Sequence, residues 1–435
     1  MLFAETHMIR GKAMTADAKR VCGLAKDLWN TANNIVTDMF TGTTEQKKAG
    51  TAEHAVYMNY NAINRILIDR QDPTYTALPR KVSNQVLMEL DKAWKGFFAS
   101  MKAWKRDPSK FEGMPRPPKF LGKKRHKGAA YELGAISRKA LKKGFVSLSG
   151  TDIEIPFINK DHQLKCARLV PLKGGLFKAE IIYEKQIPIP SETTQKKYAA
   201  IDLGVNNLAT MTFSEKDRRP VIVSGRTVKS INRLYNKKLG EMRADLMEMH
   251  HKRRYSKAVG LLTEKRNRRI KHEMHVASKM IVDALLGAGI TDLIIGHNEG
   301  WKQEIDIRDR NNQNFCQIPH SWLISMLEYK CGLVGIRTTK TEESYTSKAS
   351  FLDLDVMPVY GQENGVVPEF SGYRQRRQYK RKGIKGWVNA DVNGSYNILR
   401  KVVPEAFAEG IEGFAVSPVR FKATESKGHG FPCLS

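Results

Sequence analysis

Cysteine is scarce in this chain, and what there is lies scattered. Cys22, Cys166, Cys316, Cys331 and Cys433 form no C-x-x-C pair. That pattern excludes a disulfide framework and a four-thiolate zinc site, and fits reduced thiols in a cytosolic protein. Long apolar runs are also missing: no stretch of ~18 uncharged apolar residues occurs, so no spanning helix is expected. The opening residues, MLFAETHMIRGKA, put Glu5, His7 and Arg10 where a secretory signal needs an apolar core. The expected location is therefore the cytoplasm. Acidic residues are few beside basic ones. Asp and Glu number 45 against 73 Lys and Arg in 435 residues, a formal charge of +28. Solubility needs charge but no particular sign. An excess this large favours a polyanion, because each neutralised phosphate releases condensed counterions.

No internal repeat or long low-complexity tract appears. Leu2 to Ile9 reads as a first strand, and Thr15 is placed to cap a helix running towards Phe40. Ala18, Val21, Leu24, Leu28, Ala32 and Val36 recur at helical spacing within it. Further helical stretches are expected near 53–69 and from Lys81 to Trp104. Between Arg106 and Lys127, Pro108, Pro115, Pro117 and Pro118 exclude a continuous helix. Short alternating runs follow (Phe145–Ser149, Ile153–Phe157, Phe177–Tyr183) and predict an antiparallel sheet or small barrel. Beyond Pro188 and Pro190, strands and helices alternate. Tyr198–Leu203, Leu208–Phe213, Asp292–Gly296 and Ile336–Thr341 are the expected strands. Helices are expected through Val228–Met242, Glu264–Leu286 and Pro319–Val334, with a last one after Asn389. This mixture implies an α/β domain over about 196–403. The tail from Pro404 carries no motif and is expected to be weakly ordered.

Three carboxylates stand at expected element ends in that domain: Asp202, Glu343 and Asp391. Carboxylates brought together from separate element ends suit a hard, oxygen-seeking cation. Two such ions activate water and stabilise the leaving oxygen in phosphodiester cleavage. Each residue has a plainer reading: Asp202 as a turn residue, Asp391 as a helix N-cap, Glu343 as a solvated loop charge. Spacing alone does not assemble the three.

Four segments, AIDLGVNNLAT, IIGHNEGWKQE, EESYTSKASF and NADVNGSYNILRK, occur in that order. They resemble the RuvC-like nuclease domain of transposon-encoded TnpB proteins, to which type V CRISPR effectors and Fanzor proteins are related. LDKAWKGFF and KFEGMPRPPKF extend the resemblance, so that it covers about residues 1–403. It implies an α+β multidomain protein. Its nuclease part is an RNase H-like (RuvC) α/β domain over 196–348 and 387–403. A β-barrel-like wedge domain spans 1–11 and 108–195, with a helical recognition lobe, 12–107, inserted. Residues 349–386 form a target-nucleic-acid-binding insertion, and 404–435 a C-terminal tail.

By the same resemblance Asp202 and Asp391 are the first and last catalytic carboxylates and metal ligands. The commonest family pattern carries the middle glutamate where Gly296 and His297 stand here. A subset places it just before a T-S motif, and Glu343, three residues before Thr346–Ser347, matches that placement. Glu299 and Glu342 are the alternatives. Magnesium is the implied cofactor, two ions, with manganese a substitute. No zinc is expected, since Ser350 stands at the first thiolate position and no cysteine lies between Cys331 and Cys433. Within the insertion, Arg374, Arg376, Arg377, Lys380, Arg381 and Lys382 crowd around Tyr373 and Tyr379, a composition that suits phosphate contact with base stacking. Lys119, Lys123, Lys124 and Arg125 read the same way. The implied partners are a guide RNA, transposon-end-derived or CRISPR-like, and a double-stranded DNA target; no membrane is expected, and the sequence leaves the oligomeric state open, with a monomer favoured. The implied function is RNA-guided DNA cleavage beside a short flanking motif. The rivals are a nuclease-inactive guided repressor, a compact type V CRISPR effector and a guide-free recombinase.

Overall fold

The computed structural model describes residues 1–51, 55–187, 196–250, 255–298, 317–359, 368–383, 386–407 and 416–421. The chain divides into two compact units, Met1–Gln186 and Ile187–Ser435.

In the first unit, strand β1 (Leu2–Met8) leads into helix α1 (Lys12–Lys48). The turn between them uses Gly11 at φ 85°, a left-handed conformation that glycine adopts without strain. Gly11, not Thr15, therefore stands at the helix start. The Thr15 N–H already bonds to the Gly11 carbonyl at 3.2 Å, so Thr15 lies inside the helix. The stretch near 53–69 is helical only as α2, Tyr60–Asp69, capped by the Asn59 side chain. A short turn of helix, α3 (Pro73–Thr76), precedes α4 (Arg80–Arg106).

Four strands, β1, β2 (Ala129–Glu132), β5 (Gln163–Pro171) and β6 (Phe177–Glu184), form one antiparallel sheet in the order β1-β6-β5-β2. Strands β3 (Phe145–Ser147) and β4 (Glu154–Pro156), which follow the short helix α5 (Arg138–Lys142), pair separately. The larger sheet is open: among the described residues no ladder joins β1 to β2. A single core fills the unit, with Val21, Leu28, Leu87, Leu90, Trp94 and Ile181 all buried. Trp94 donates its indole N–H to Asn33 Oδ1 at 2.9 Å, which satisfies the one polar atom its burial would otherwise strand.

The second unit is built on a six-stranded sheet. Its strands are β7 (Tyr198–Leu203), β8 (Asn207–Phe213), β9 (Val221–Ser224), β10 (Asp292–Gly296), β11 (Arg337–Thr341) and β15 (Val419–Phe421), in the order β11-β10-β7-β8-β9-β15. Strands β10 and β11 run parallel to β7, while β8 runs antiparallel to it. The tail was expected to be weakly ordered, yet Val419–Phe421 pairs in parallel with β9. Three residues are too short a run for periodicity to reveal.

Alternation decides which face each side chain meets. Ala199, Ile201, Leu293 and Ile295 join one core with helix α7 (Lys257–Gly287) and the helix His320–Leu333. Ala200 and Ile294 join the opposite core with the last helix, Ala390–Val402. Asp202, two residues beyond Ala200, is thereby set on the face of the last helix. Helix α6 (Arg226–His250) also belongs to this unit. So does a small three-stranded sheet of β12 (Gly372–Gln375), β13 (Gln378–Arg381) and β14 (Val388–Asn389).

Candidate active site

Asp202 lies within β7, opposite Thr210 of β8, and not in the turn that follows. The turn itself is pinned from outside: His320 Nε2 donates to the Gly204 carbonyl at 3.0 Å. The last helix comes close because residue 394 is glycine. A Cβ there would stand 2.9 Å from Asp202 Oδ2. Ser395, the next residue, donates to the Ala200 carbonyl at 3.0 Å and fixes the helix on β7.

Asp391 sits in the first turn of that helix but does not cap it. The cap is Asn389, whose Oδ1 accepts from the Asp391 and Val392 N–H groups at 3.0 and 3.3 Å. Asp391 is thus released from local duty. Its two oxygens instead accept from Arg374 Nη2 at 2.8 Å and from Asn207 Nδ2 at 2.6 Å.

Glu343 follows β11 in a loop held at several points. Asn298 Oδ1 accepts its N–H at 3.0 Å. Asn397 donates to the Thr346 and Ala349 carbonyls, and Asn393 donates to the Ala349 carbonyl. Asn393 and Asn397 are four apart, one helical turn, so both face this loop. Neither was singled out from the sequence, although the spacing in NGSYN was there to read. The neighbouring Glu342 turns to Lys401, a nearly buried ammonium, and accepts from Ser344 N–H. Burial works against the Glu342 charge, but these bonds overcome it and hold its carboxyl below the usual range. Glu299 lies outside the described residues.

The position of Gly296, at the end of β10, has a steric cause. A Cβ at 296 would lie 2.5 Å from Ile398 Cδ1 and 2.9 Å from Glu343 Oε2. The Glu343 carboxylate occupies the space into which a side chain at 296 would point. Beside it opens a groove of about 760 Å³, lined by His297, Asn298, Tyr345, Ser347 and Lys348 among others.

Electrostatics ties the three acids together. Asp202 is raised well above the usual carboxylate range, first by burial, then by the charges of Glu343 and Asp391, with Arg374 opposing. Glu343 is pushed up to about 7, mainly by burial and then by Glu342, against the pull of Lys401. The cluster is thus short of positive charge. Even so, among the described residues no three His, Cys, Asp or Glu side chains are arranged to hold one metal ion. The Asp391 oxygens are the ones engaged elsewhere.

Residues 180–302 match the family described as Probable transposase, and residues 320–398 match the one described as Cas12f1-like, TNB domain. Over these two stretches the chain resembles TnpB-like proteins. The first TnpB-like stretch contains Asp202 and Gly296, and the second contains Glu343, Arg374 and Asp391. No curated protein matches the chain significantly. Two solved structures among those similar to it are titled "Cryo-EM structure of the Cas12f1-sgRNA-target DNA complex" and "Cryo-EM structure of CRISPR-Cas12f Ternary Complex". The first is 14% identical, covers 91% of this chain and 98% of that one, and has a TM-score of 0.34. The second is 15% identical, covers 88% and 81%, and has a TM-score of 0.33.

The basic insertion departs from the sequence expectation in three places. Tyr379 is buried and donates its hydroxyl to the Lys348 carbonyl at 2.9 Å, so its ring is not free to stack on a base. Arg381 forms a two-pronged bond with Asp353, one prong 2.7 Å long. Arg374 is turned to Asp391. Arg376, Arg377 and Lys382 are exposed, as is Tyr373, while Lys380 is half-buried. Oxygen ties hold the described part of the insertion. Asp355 accepts from Ser350 N–H and from both the N–H and hydroxyl of Ser371. In the first unit, Lys119, Lys123, Lys124 and Arg125 are exposed.

Proposed function

We propose that this chain is an RNA-guided DNA endonuclease, transposon-associated, that hydrolyses phosphodiester bonds of a target beside a short flanking motif. The observation that carries this reading is the grouping of Asp202, Glu343 and Asp391, with Glu343 filling the space beside Gly296. The strand order β9-β8-β7-β10-β11, with the first three antiparallel and the last two parallel to β7, supports an RNase H-like (RuvC) domain. Helices α1 to α4 would be the recognition lobe and the β1-β6-β5-β2 sheet the wedge.

The donor set suits a hard divalent cation: the charges of Glu343 and Asp391 both act against that of Asp202, and one arginine opposes them. Asp202, Glu343 and Asp391 would hold magnesium, as two ions, or manganese in its place. Bound ions supply an activated water and stabilise the leaving oxygen. The protein's own groups do the positioning. Asn207 orients Asp391, Asn298 orients the loop of Glu343, and Gly394 lets the last helix reach Asp202. Release of Arg374 from Asp391 completes the donor set and frees that guanidinium for a phosphate.

Guided cleavage with magnesium, measured beside guided binding, tests the proposal. Asp202→Ala, Glu343→Ala and Asp391→Ala should each abolish cleavage and leave binding nearly intact. A fully active Glu343→Ala protein removes that residue from the site. The second reading, guided binding without cleavage, is favoured by the incomplete convergence of the carboxylates. Tight guided binding by a wild type that never cuts would establish it.

A further inference from the structure

On the far side of Asn207 from Asp391, three arginines from distant parts of the chain line one cavity of about 230 Å³. Arg226 is the first residue of α6, Arg377 lies in the turn between β12 and β13, and Arg420 is on β15. Phe421, Asn206 and Asn207 complete the part of the wall that matters here. Arg420 donates to Asn207 Oδ1 at 3.3 Å, and Asn207 donates in turn to Asp391. Among the described residues no carboxylate pairs with any of the three guanidiniums, and Arg226 and Arg377 have no side-chain partner at all.

Three unneutralised cations around one cavity repel each other unless an anion enters. Guanidinium forks match the oxygens of a phosphate. Surface arginines left to solvent are ordinary, but these converge, and one asparagine connects them to a carboxylate of the site. We propose that this pocket binds a backbone phosphate of single-stranded DNA, next to the bond presented to Asp391. Its place beside that bond rests on the nuclease reading; the phosphate site does not. Arg226 and Arg420 thereby become positioning residues for the strand, and the tail strand β15 becomes part of the binding surface.

The test uses the full-length protein, a fluorescent oligothymidylate and chelator, so that cleavage plays no part. Affinity is measured over a series of salt concentrations for wild type and for the triple variant Arg226→Ala, Arg377→Ala, Arg420→Ala. A second triple, Lys265→Ala, Arg268→Ala, Arg269→Ala, removes three exposed cations of α7 as a charge-matched control. The pocket variant should bind at least about tenfold more weakly, and its log–log salt slope should be shallower by ~0.7 for each phosphate the pocket holds. The control should keep the wild-type slope. A pocket variant with the wild-type slope and affinity, or a control that loses as much, overturns the proposal. A loss seen only with an oligouridylate probe overturns the assignment to DNA. If the triple variant melts early, Arg226→Ala and Arg420→Ala singly carry the same comparison. A wild type that binds through the pocket but never cuts defeats the nuclease reading alone, while a cutting enzyme indifferent to the pocket defeats the pocket alone.

Discussion

In the hairpin of β12 and β13, Tyr379 is buried, Arg381 is held by Asp353 and Arg374 by Asp391. In the stretch from Lys119 to Arg125, by contrast, Lys119, Lys123, Lys124 and Arg125 all face solvent, and among the described residues none has an acidic partner. The two segments have similar composition, basic residues interleaved with aromatics. What separates them is the neighbourhood. The hairpin folds beside Asp353, Asp355 and Asp391, and opposite charges close at hand are satisfied within the protein first. The charge a segment offers to a nucleic acid is its count of cations less those already paired.

Four experiments break or sharpen that contrast. The largest effect is expected from Tyr379→Ala, which removes a buried ring and its hydroxyl bond. It should destabilise the second unit by about 3 kcal/mol or more, whereas Lys123→Ala with Lys124→Ala should change stability by less than about 0.5 kcal/mol. Denaturant melts read both, and equal losses would erase the distinction. Next, Lys123→Ala, Lys124→Ala and Arg125→Ala together should weaken binding of a duplex DNA probe by about tenfold and flatten its salt slope by up to ~0.9 per lost phosphate contact. An unchanged slope would mean that exposure alone does not make a binding surface. A smaller effect, about 1 kcal/mol after allowance for partial exposure, is expected when Arg381→Gln removes the two-pronged bond to Asp353. Its salt slope for the same duplex should stay near wild type; a drop equal to that of the Lys123 group would show Arg381 available to phosphate after all.

The smallest effect is a matter of pH. The hydrogen bond from Arg381 holds Asp353 below the usual carboxylate range. A depressed folded value means stability that is fully present above the unfolded pKa of ~3.9 and lost as pH falls through the lower, folded one. The protection factors of the hairpin amides in hydrogen exchange should therefore fall in acid below about pH 4, and Asp353→Asn should remove that dependence. Persistence of the acid response in Asp353→Asn would assign it to another group.

Much of the scaffold was legible in the sequence. The strands Tyr198–Leu203 and Asp292–Gly296 agree with the expected ranges to the residue, because alternating or buried apolar runs leave little choice. Local chemistry was harder. Asp391 has the look of an N-cap, and only the structure shows Asn389 taking that role. Tyr379 among arginines and lysines has the look of a stacking residue, because burial depends on the strand partner and not on its neighbours in sequence. The tight fit at Gly296 depends on Ile398, a hundred residues away in the chain, and no local pattern reports it.

The six-stranded sheet ends in two edges that are protected by different means. An open edge exposes unpaired N–H and C=O groups, a ready template for another chain. At one end β11 carries Arg337 and Lys340, tied to Asp292 and Glu328, and such charges discourage a second strand from docking. At the other end the chain covers the apolar strand β9 with three residues of its own tail. That short strand therefore acts as a stopper as well as a binding wall. A chain cut before Val419 would leave Val221, Ile222 and Val223 as a bare β-edge, and should self-associate more readily than the full chain.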